Sequence, residues 1–413
     1  MTKDNHIPQG YKPSPLGLIP EDWEVKYLGD LLAKLANGLT YDVSVTQGHP
    51  VSRIETISNG VINYSKVGHI ADTEGLEAYK MHNGDILYSH INSLAHIGKV
   101  AYYDEKHELY HGMNLLLLRA NNNIESRYLY LYLLTSQSKH TAQLIAKPAV
   151  NQASISTEDV RKIKIAVPPL TEQQRIVSVL SLWDTAIEKQ TALIEQLTLR
   201  KRGLMHQLLT GKKRLKGFGG EWKEVRLGEI GKFVGGCAFN EQEQGGQTGI
   251  PFYKVSDMNL PGNESKMNIA NNYVTHEQIE RLGYIVIENE AIIFAKVGAA
   301  IALERKRYAK NFIIDNNMLA YLPNNNVWYM KYWFDSISLS KYIQVGALPS
   351  YNASDLSIIK LKMPSLKEQN AIASVLVNAD KEIEIQKQKL AAMQAQKKGL
   401  MQVLLTGKRR INI

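Results

Sequence analysis

One stretch of this chain is written twice. The copies begin Pro168-Pro-Leu-Thr-Glu-Gln-Gln-Arg-Ile and Pro364-Ser-Leu-Lys-Glu-Gln-Asn-Ala-Ile, and each runs without a gap to Leu-Leu-Thr-Gly-Lys, at 208–212 and 404–408. They stay 196 positions apart throughout. About half of the aligned residues are identical, so the chain carries an internal duplication and its fold must place the same element twice.

The repeated stretch has helical physics. Ile176, Leu180, Trp183, Ile187, Gln190, Ile194, Leu197, Lys201, Leu204 and Leu208 alternate at spacings of four and three, the a/d stripe of a heptad helix. The second copy carries the stripe from Ile372 through Leu376, Ile383, Gln386, Leu390 and Lys397 to Leu404. Thr171 with Gln174, and Ser365 with Glu368, match a capping box at the helix start. Gly211 and Gly407 stand where a left-handed C-terminal cap is wanted. At about 1.5 Å per residue each helix would be roughly 55–60 Å long. Two equal apolar seams with polar breaks at matching places are expected to bury each other as an antiparallel pair inside one chain. Two unrelated surface helices, or a homodimer through the same seams, are the alternatives.

The duplication reaches beyond the helices. Trp23, Leu28 and Gly29 keep the mutual spacing of Trp222, Leu227 and Gly228, and each Leu-Gly opens a segment ending in a glycine turn, Asn37-Gly38 or Gly235-Gly236. Strand-like runs follow at 85–89 and 291–295, then at 114–118 and 317–321. Asparagine clusters at 121–123 and 324–326 read as turns, and aromatic-rich helical segments come next, 128–134 and 328–334. The expected class is α+β. Two mixed α/β domains, 1–167 and 213–363, are joined by helical regions 168–212 and 364–413, which form an intramolecular coiled coil with a pseudo-two-fold internal repeat. A length of 413 residues suits that domain count.

Bulk properties narrow the function. The single cysteine, Cys237, excludes an internal disulfide and a cysteine-based zinc site. No apolar run reaches membrane-spanning length and Met1-Thr-Lys-Asp-Asn-His opens no signal peptide, so a soluble cytoplasmic protein without a membrane partner is expected. A formal net charge of +9 favours a polyanion. The scaffold parts repeat faithfully while the middles of the domains have diverged, which suits two different binding faces held by one frame. DNA-binding proteins of that symmetry read half-sites about 34 Å per helical turn apart.

The Pro-x-Leu-x-Glu-Gln-x-x-Ile pattern, the long helix ending in Leu-Leu-Thr-Gly-Lys and the Trp-x-x-x-x-Leu-Gly opening resemble the specificity subunits of type I restriction–modification systems. The resemblance covers essentially the whole chain and is most specific in 168–212 and 364–408. It implies that each domain is a target-recognition domain reading one half of an interrupted double-stranded DNA sequence. The helices would then act as spacer and as docking surface for two modification (methyltransferase) subunits, which restriction subunits join. The chain itself would be non-catalytic and bind no cofactor, with S-adenosyl methionine, ATP and Mg on the partner subunits.

Motifs for chemistry are missing in the way that implies. The one Pro-Pro, Pro168-Pro169, stands between Val167 and Leu170 and cannot serve a methyltransferase Asn/Asp-Pro-Pro-aromatic motif. Gly211-Lys212 lacks the upstream glycine of a phosphate loop and is followed by Lys213. Glu221-Trp222-Lys223 matches a nuclease fragment that occurs by chance in most chains this long, and Trp222 repeats Trp23. His82, His90, His96, His107 and His111 fit no usual metal-ligand spacing.

Phosphates are contacted by Lys, Arg and small polar side chains, and base edges by Arg, Lys, Asn, Gln, Ser and Thr. The loops after strands are expected to supply them: His90, Asn92 and Lys99 in the first domain, with Lys296 in the matching loop of the second. Lys147, Asn151, Gln152 and Ser154 form a polar, basic loop before the closing strand, and Ser350, Tyr351 and Asn352 occupy its counterpart. Arg53, Tyr64, Lys66, Lys254 and Ser256 are further candidates near sheet edges. Two other readings stay open: a coiled-coil scaffold that binds only proteins, and a stand-alone DNA enzyme, which would need the cofactor motifs not found.

Overall fold

The computed structural model describes residues 7–58, 60–150, 152–344 and 349–411. It falls into two compact units, Met1–Gln190 with Lys389–Ile413, and Thr191–Gln388. The duplicated stretches are long helices, Leu170–Leu209 and Leu366–Leu404, and each is divided between the units.

Inside the first unit the start of one helix meets the end of the other. Ile176 and Leu180 share a core with Leu404 and Leu405, Asp184 pairs with Lys397, and Glu172 pairs with Arg410. Inside the second unit Leu208 and Leu209 share a core with Ile372 and Leu376, Lys201 reaches Asp380 at 2.5 Å, and Arg214 holds Glu368. The antiparallel pairing expected from the stripes is present within each unit. The polar breaks Lys201 and Lys397 are thus salt-bridged a/d positions, the kind of residue that sets register at some cost in stability.

One detail of the helix starts differs from the sequence reading. The offset of 196 pairs Ser365 with Pro169, so only the second copy has a hydroxyl at the cap, where Ser365 Oγ accepts from the Glu368 amide at 3.4 Å. Thr171 lies inside the first helix, past its first residue Leu170. Glu172 and Glu368 do not turn back on their own helix starts. They reach arginines beyond the other helix's end. Gly211 and Gly407, at φ +70° and +71°, supply the left-handed ends as expected.

Each globular part is built on a four-stranded antiparallel sheet of the same order. In the first unit it runs Val100–Tyr102, Ile86–Tyr88, Leu116–Ala120, Leu32–Asn37. In the second it runs Lys306–Ala309, Ala291–Ala295, Met318–Pro323, Gly231–Gly235. The central strands are buried on both faces, which explains their unbroken apolar runs. The aromatic helices Ser126–Leu133 and Val327–Ser336 cover one face, capped by Glu125 and Asn326. At the edge of each sheet a glycine is forced by backbone approach. A Cβ on Gly38 would stand 2.0 Å from Gly112 O, and one on Gly236 would stand 1.8 Å from Asp315 O.

A two-stranded pair ties each globular part to its long helix: Glu24–Tyr27 with Lys164–Val167, and Lys223–Arg226 with Lys360–Met363. Among the described residues no helix is long and apolar enough to cross a membrane.

Candidate nucleic-acid interface

Three stretches that the sequence marked separately meet in one small sheet of the first unit. Ile91–Asn92 pairs with Gln152–Ser154, which pairs with Lys147–Ala149. The Ile155 amide donates to His90 O at 2.8 Å, and the buried Ile155 side chain pins this platform to the core. The loop from His90 to Lys99 is closed by Ser89 and Gly98: the Ser89 amide donates to Lys99 O and the Gly98 amide to Ser89 O, both at 2.8 Å. Asn92 Nδ2 donates to Ser89 Oγ at 3.0 Å, which fixes its side chain. The loop leans on the helix Ser136–Ile145, where Gln143 Nε2 donates to Leu94 O at 3.2 Å. Lys147, Gln152 and Ser154 are exposed, and the Lys147 ammonium lies 3.7 Å from Asp159. The register sets Lys147, Gln152 and Ser154 on one face of this sheet with Ile91, while Asn92 and the buried His90 lie on the other with Ala153 and Ile155; Lys99 closes the loop beside them. Asn151 lies outside the described residues.

His90 is 8% exposed and its Nδ1 is enclosed without a hydrogen-bond partner. Burial pushes the imidazole down to about 4, so the ring is neutral at physiological pH. His111 is also buried and also pushed down to about 4 by burial, and it spends one ring nitrogen on Leu115 O at 3.0 Å. His96 Nδ1 bonds Ser93 Oγ at 2.8 Å.

The second unit repeats the platform with different side chains. Val297 and Gln344 both bridge to Ser350, the Tyr351 amide donates to Lys296 O at 2.9 Å, and the Gly298 amide donates to Pro349 O at 2.9 Å. Lys296 thus stands where His90 stands, and Ser350 where Ser154 stands. One expectation needs correction. Tyr351 is 4% exposed and packs edge-on against Phe294, so it is a core residue in the place of Ile155. Asn352 is exposed, but its side chain accepts from the Ser354 amide at 3.1 Å and caps the short helix Ala353–Ser357.

Arg53, Tyr64 and Lys66 form a second group, joined through Thr56 Oγ1, which accepts from the Arg53 amide and donates to Lys66 O. Lys254 repeats Arg53: its amide donates to Asp257 Oδ2 at 2.7 Å as that of Arg53 does to Thr56 at 2.8 Å. Lys66 and Ser256 are exposed. The Lys254 ammonium is occupied by Gln244 Oε1 at 3.0 Å and lies over the Phe239 ring. Tyr64 turns inward: its hydroxyl is enclosed without a partner and its ring meets His107 edge-on, which is packing and not display.

The family model for the type I restriction modification DNA specificity domain matches residues 20–199 and again 219–395. The chain belongs to this family. A Methanocaldococcus jannaschii protein assigned as the MjaX specificity subunit of a type I restriction enzyme is 34% identical over 98% of this chain and 97% of its own length. The MjaVIII specificity subunit of the same organism is 25% identical over 95% of this chain and 94% of its own. Two solved structures share the fold. A chain of a type I restriction–modification system has a TM-score of 0.63 at 15% identity, covering 95% of this chain and 99% of that one. The type I S subunit of M. genitalium has 0.52 at 16%, covering 98% of each.

As a specificity-domain protein the chain also shows groups that sequence reasoning passed over. Lys139 and His140 are exposed on the helix that supports the 90–99 loop, and Lys341 is exposed beside the second platform. Their exposure is a property of the assembled helix face, and only the neighbouring basic residue Lys147 hinted at it. Arg119 grips the buried Asp85 at 2.7 and 2.8 Å, which fixes the start of the strand Ile86–Tyr88 that leads to His90.

Proposed function

We propose that this chain is the sequence-specific DNA recognition subunit of a type I restriction–modification complex, with each globular part reading one half of a bipartite target. One observation carries the reading: two platforms share a backbone hydrogen-bond pattern yet present different polar side chains on the same face, Lys147 with Gln152 in one and Gln344 in the other. A common frame with different faces is what two half-sites of different sequence require, because base edges are told apart by the donors and acceptors offered to them. The formal charge of +9 supports attraction to phosphates.

In this reading the chain is the non-catalytic member of a methyltransferase and endonuclease assembly. The outer faces of the long helices receive two modification subunits, and restriction subunits complete the complex. S-adenosyl methionine, ATP and Mg act on those partners. The helices also set the gap between half-sites. Mapping methylated positions in DNA from cells that carry this chain with its partner subunits tests the proposal. A single bipartite motif with a fixed gap is expected, and methylation without such a motif overturns it. Adding a heptad to both helices is expected to lengthen the gap.

A further inference from the structure

We infer that His90 and Lys296 are equivalent base-reading positions, one in each unit, and that an imidazole held in place at one and a mobile ammonium at the other help to make the two half-sites different sequences. The inference rests on the reading of this chain as a DNA recognition subunit.

The equivalence is structural. Each residue leaves the end of a buried central strand, Ile86–Tyr88 or Ala291–Ala295. Each offers its carbonyl to the amide of the residue that anchors the platform, Ile155 or Tyr351, at 2.8 and 2.9 Å. Both anchors are buried in their cores, so the frame beneath the two positions is the same. What differs is the side chain that the frame carries.

The state of His90 needs an explanation that the fold does not supply. A buried polar group is normally hydrogen-bonded, because leaving it unmade costs about 1–3 kcal/mol. Nδ1 of His90 is enclosed with no partner, and among the described residues Nε2 has none either, although it is not enclosed. A proton on Nδ1 would have no acceptor, so the favoured tautomer carries it on Nε2. The ring's one N–H is then on Nε2, the nitrogen that keeps some exposure. Its neutrality at ordinary pH removes the Coulomb attraction that phosphate contacts rely on. The matching acceptors are those of a base edge in the major groove: purine N7, guanine O6 or thymine O4. Rotation of the ring is restrained by its burial, so the donor is placed before DNA arrives, which favours selectivity over adaptability.

Lys296 is half-buried, and among the described residues its ammonium has no ion pair or hydrogen bond. Three donors on a flexible stem suit the paired acceptors O6 and N7 of guanine. The two positions would therefore differ in how strictly they read, with the imidazole tolerating fewer geometries than the ammonium.

The test uses the complete complex of this chain with its modification subunits, comparing the methylated motifs of wild type, His90→Ala, His90→Gln and Lys296→Met. Each His90 variant is expected to lose discrimination at one base pair of one half-site by about fivefold to a hundredfold, the equivalent of one good base contact. The other half and the gap should be untouched. Lys296→Met is expected to do the same in the other half. Should His90→Ala fail to fold, His90→Gln, which keeps a polar group in the pocket, decides. Unchanged motifs in folded variants, or one substitution that alters both halves, would overturn the inference while leaving the recognition role standing. If wild type itself methylates no bipartite motif, the recognition role falls and this inference falls with it.

Discussion

Arg410 closes on Glu172: its Nε and Nη2 donate to the two carboxylate oxygens at 3.2 and 2.7 Å, and the Trp23 indole donates to the same carboxylate at 3.0 Å. Arg214 repeats the grip on Glu368 at 2.6 Å through both nitrogens, with Trp222 lying under the guanidinium instead of donating. An arginine a short way beyond each long helix thus holds the beginning of the other, inside one unit each time.

Removing either arginine leaves a buried carboxylate without its cation. Arg410→Ala should destabilise the first unit by roughly 2–4 kcal/mol, toward the lower end because the guanidinium is partly solvated. Arg214→Ala should act alike on the second unit, where Glu368 is more deeply buried. Urea unfolding of the full chain measures both. Arg410→Met with Glu172→Leu should recover most of the loss, since an apolar pair removes the uncompensated charge. No recovery would mean that the pair serves something besides burial.

Acid should weaken the first unit through a buried histidine. His111 is buried with its pKa depressed to about 4, with Lys34, Asp85 and His90 as the titratable or charged groups that influence it. The unfolded chain binds this proton near 6.5, so between about 6.5 and 4 the unfolded state holds more protons than the folded one. The stability from keeping His111 neutral is therefore complete above about 6.5 and declines as pH falls toward 4, by up to about 3 kcal/mol. His111→Gln keeps a donor for Leu115 O and should remove about half of this slope, since His90, also pushed down to about 4 by burial, supplies a similar share. An unchanged slope would assign it to His90 or to carboxylates.

How much of this was legible in the sequence depends on the range of the interaction. Lys201 and Lys397 stood out as polar breaks in an apolar stripe, but their partners Asp380 and Asp184 sit one position off that stripe and looked like ordinary surface charges. The central strands were visible because burial on both faces leaves unbroken apolar runs. The platforms were seen only as loops, because strands of two or three residues carry no periodicity and their pairing is long-range. Tyr351 was misread for its polar neighbours. The duplication already held the correction, since Ile155 at the same offset is plainly apolar.

The cross-helix pairs allow a charge-swap experiment. Asp184→Lys would set a third cation beside Lys397 and Arg127, which now share that carboxylate. A loss of roughly 1–3 kcal/mol is expected, larger than for Lys397→Met, because like charges repel where a methionine only removes a half-solvated pair. The double swap Asp184→Lys with Lys397→Asp should regain part of the loss, with Arg127 still placed against a cation. Thermal unfolding of the three variants checks the order. If the double swap is as weak as Asp184→Lys alone, the pair does not act as a pair.

Lys147 offers a contrast with the base-reading positions. Its side chain is 77% exposed at the edge of the first platform and is only loosely held by Asp159. An ammonium so placed suits a phosphate, which positions the protein on DNA without reading it. Lys147→Ala should weaken DNA binding of the assembled complex to a similar degree on target and non-target duplexes. It should also lower the slope of log affinity against log salt by about one, the counterion released per phosphate contact. The methylated motif should stay the same. Binding isotherms at several salt concentrations, on matched and scrambled duplexes, measure this. A loss confined to the target sequence would move Lys147 among the residues that read bases, and an unchanged slope would remove it from the DNA surface.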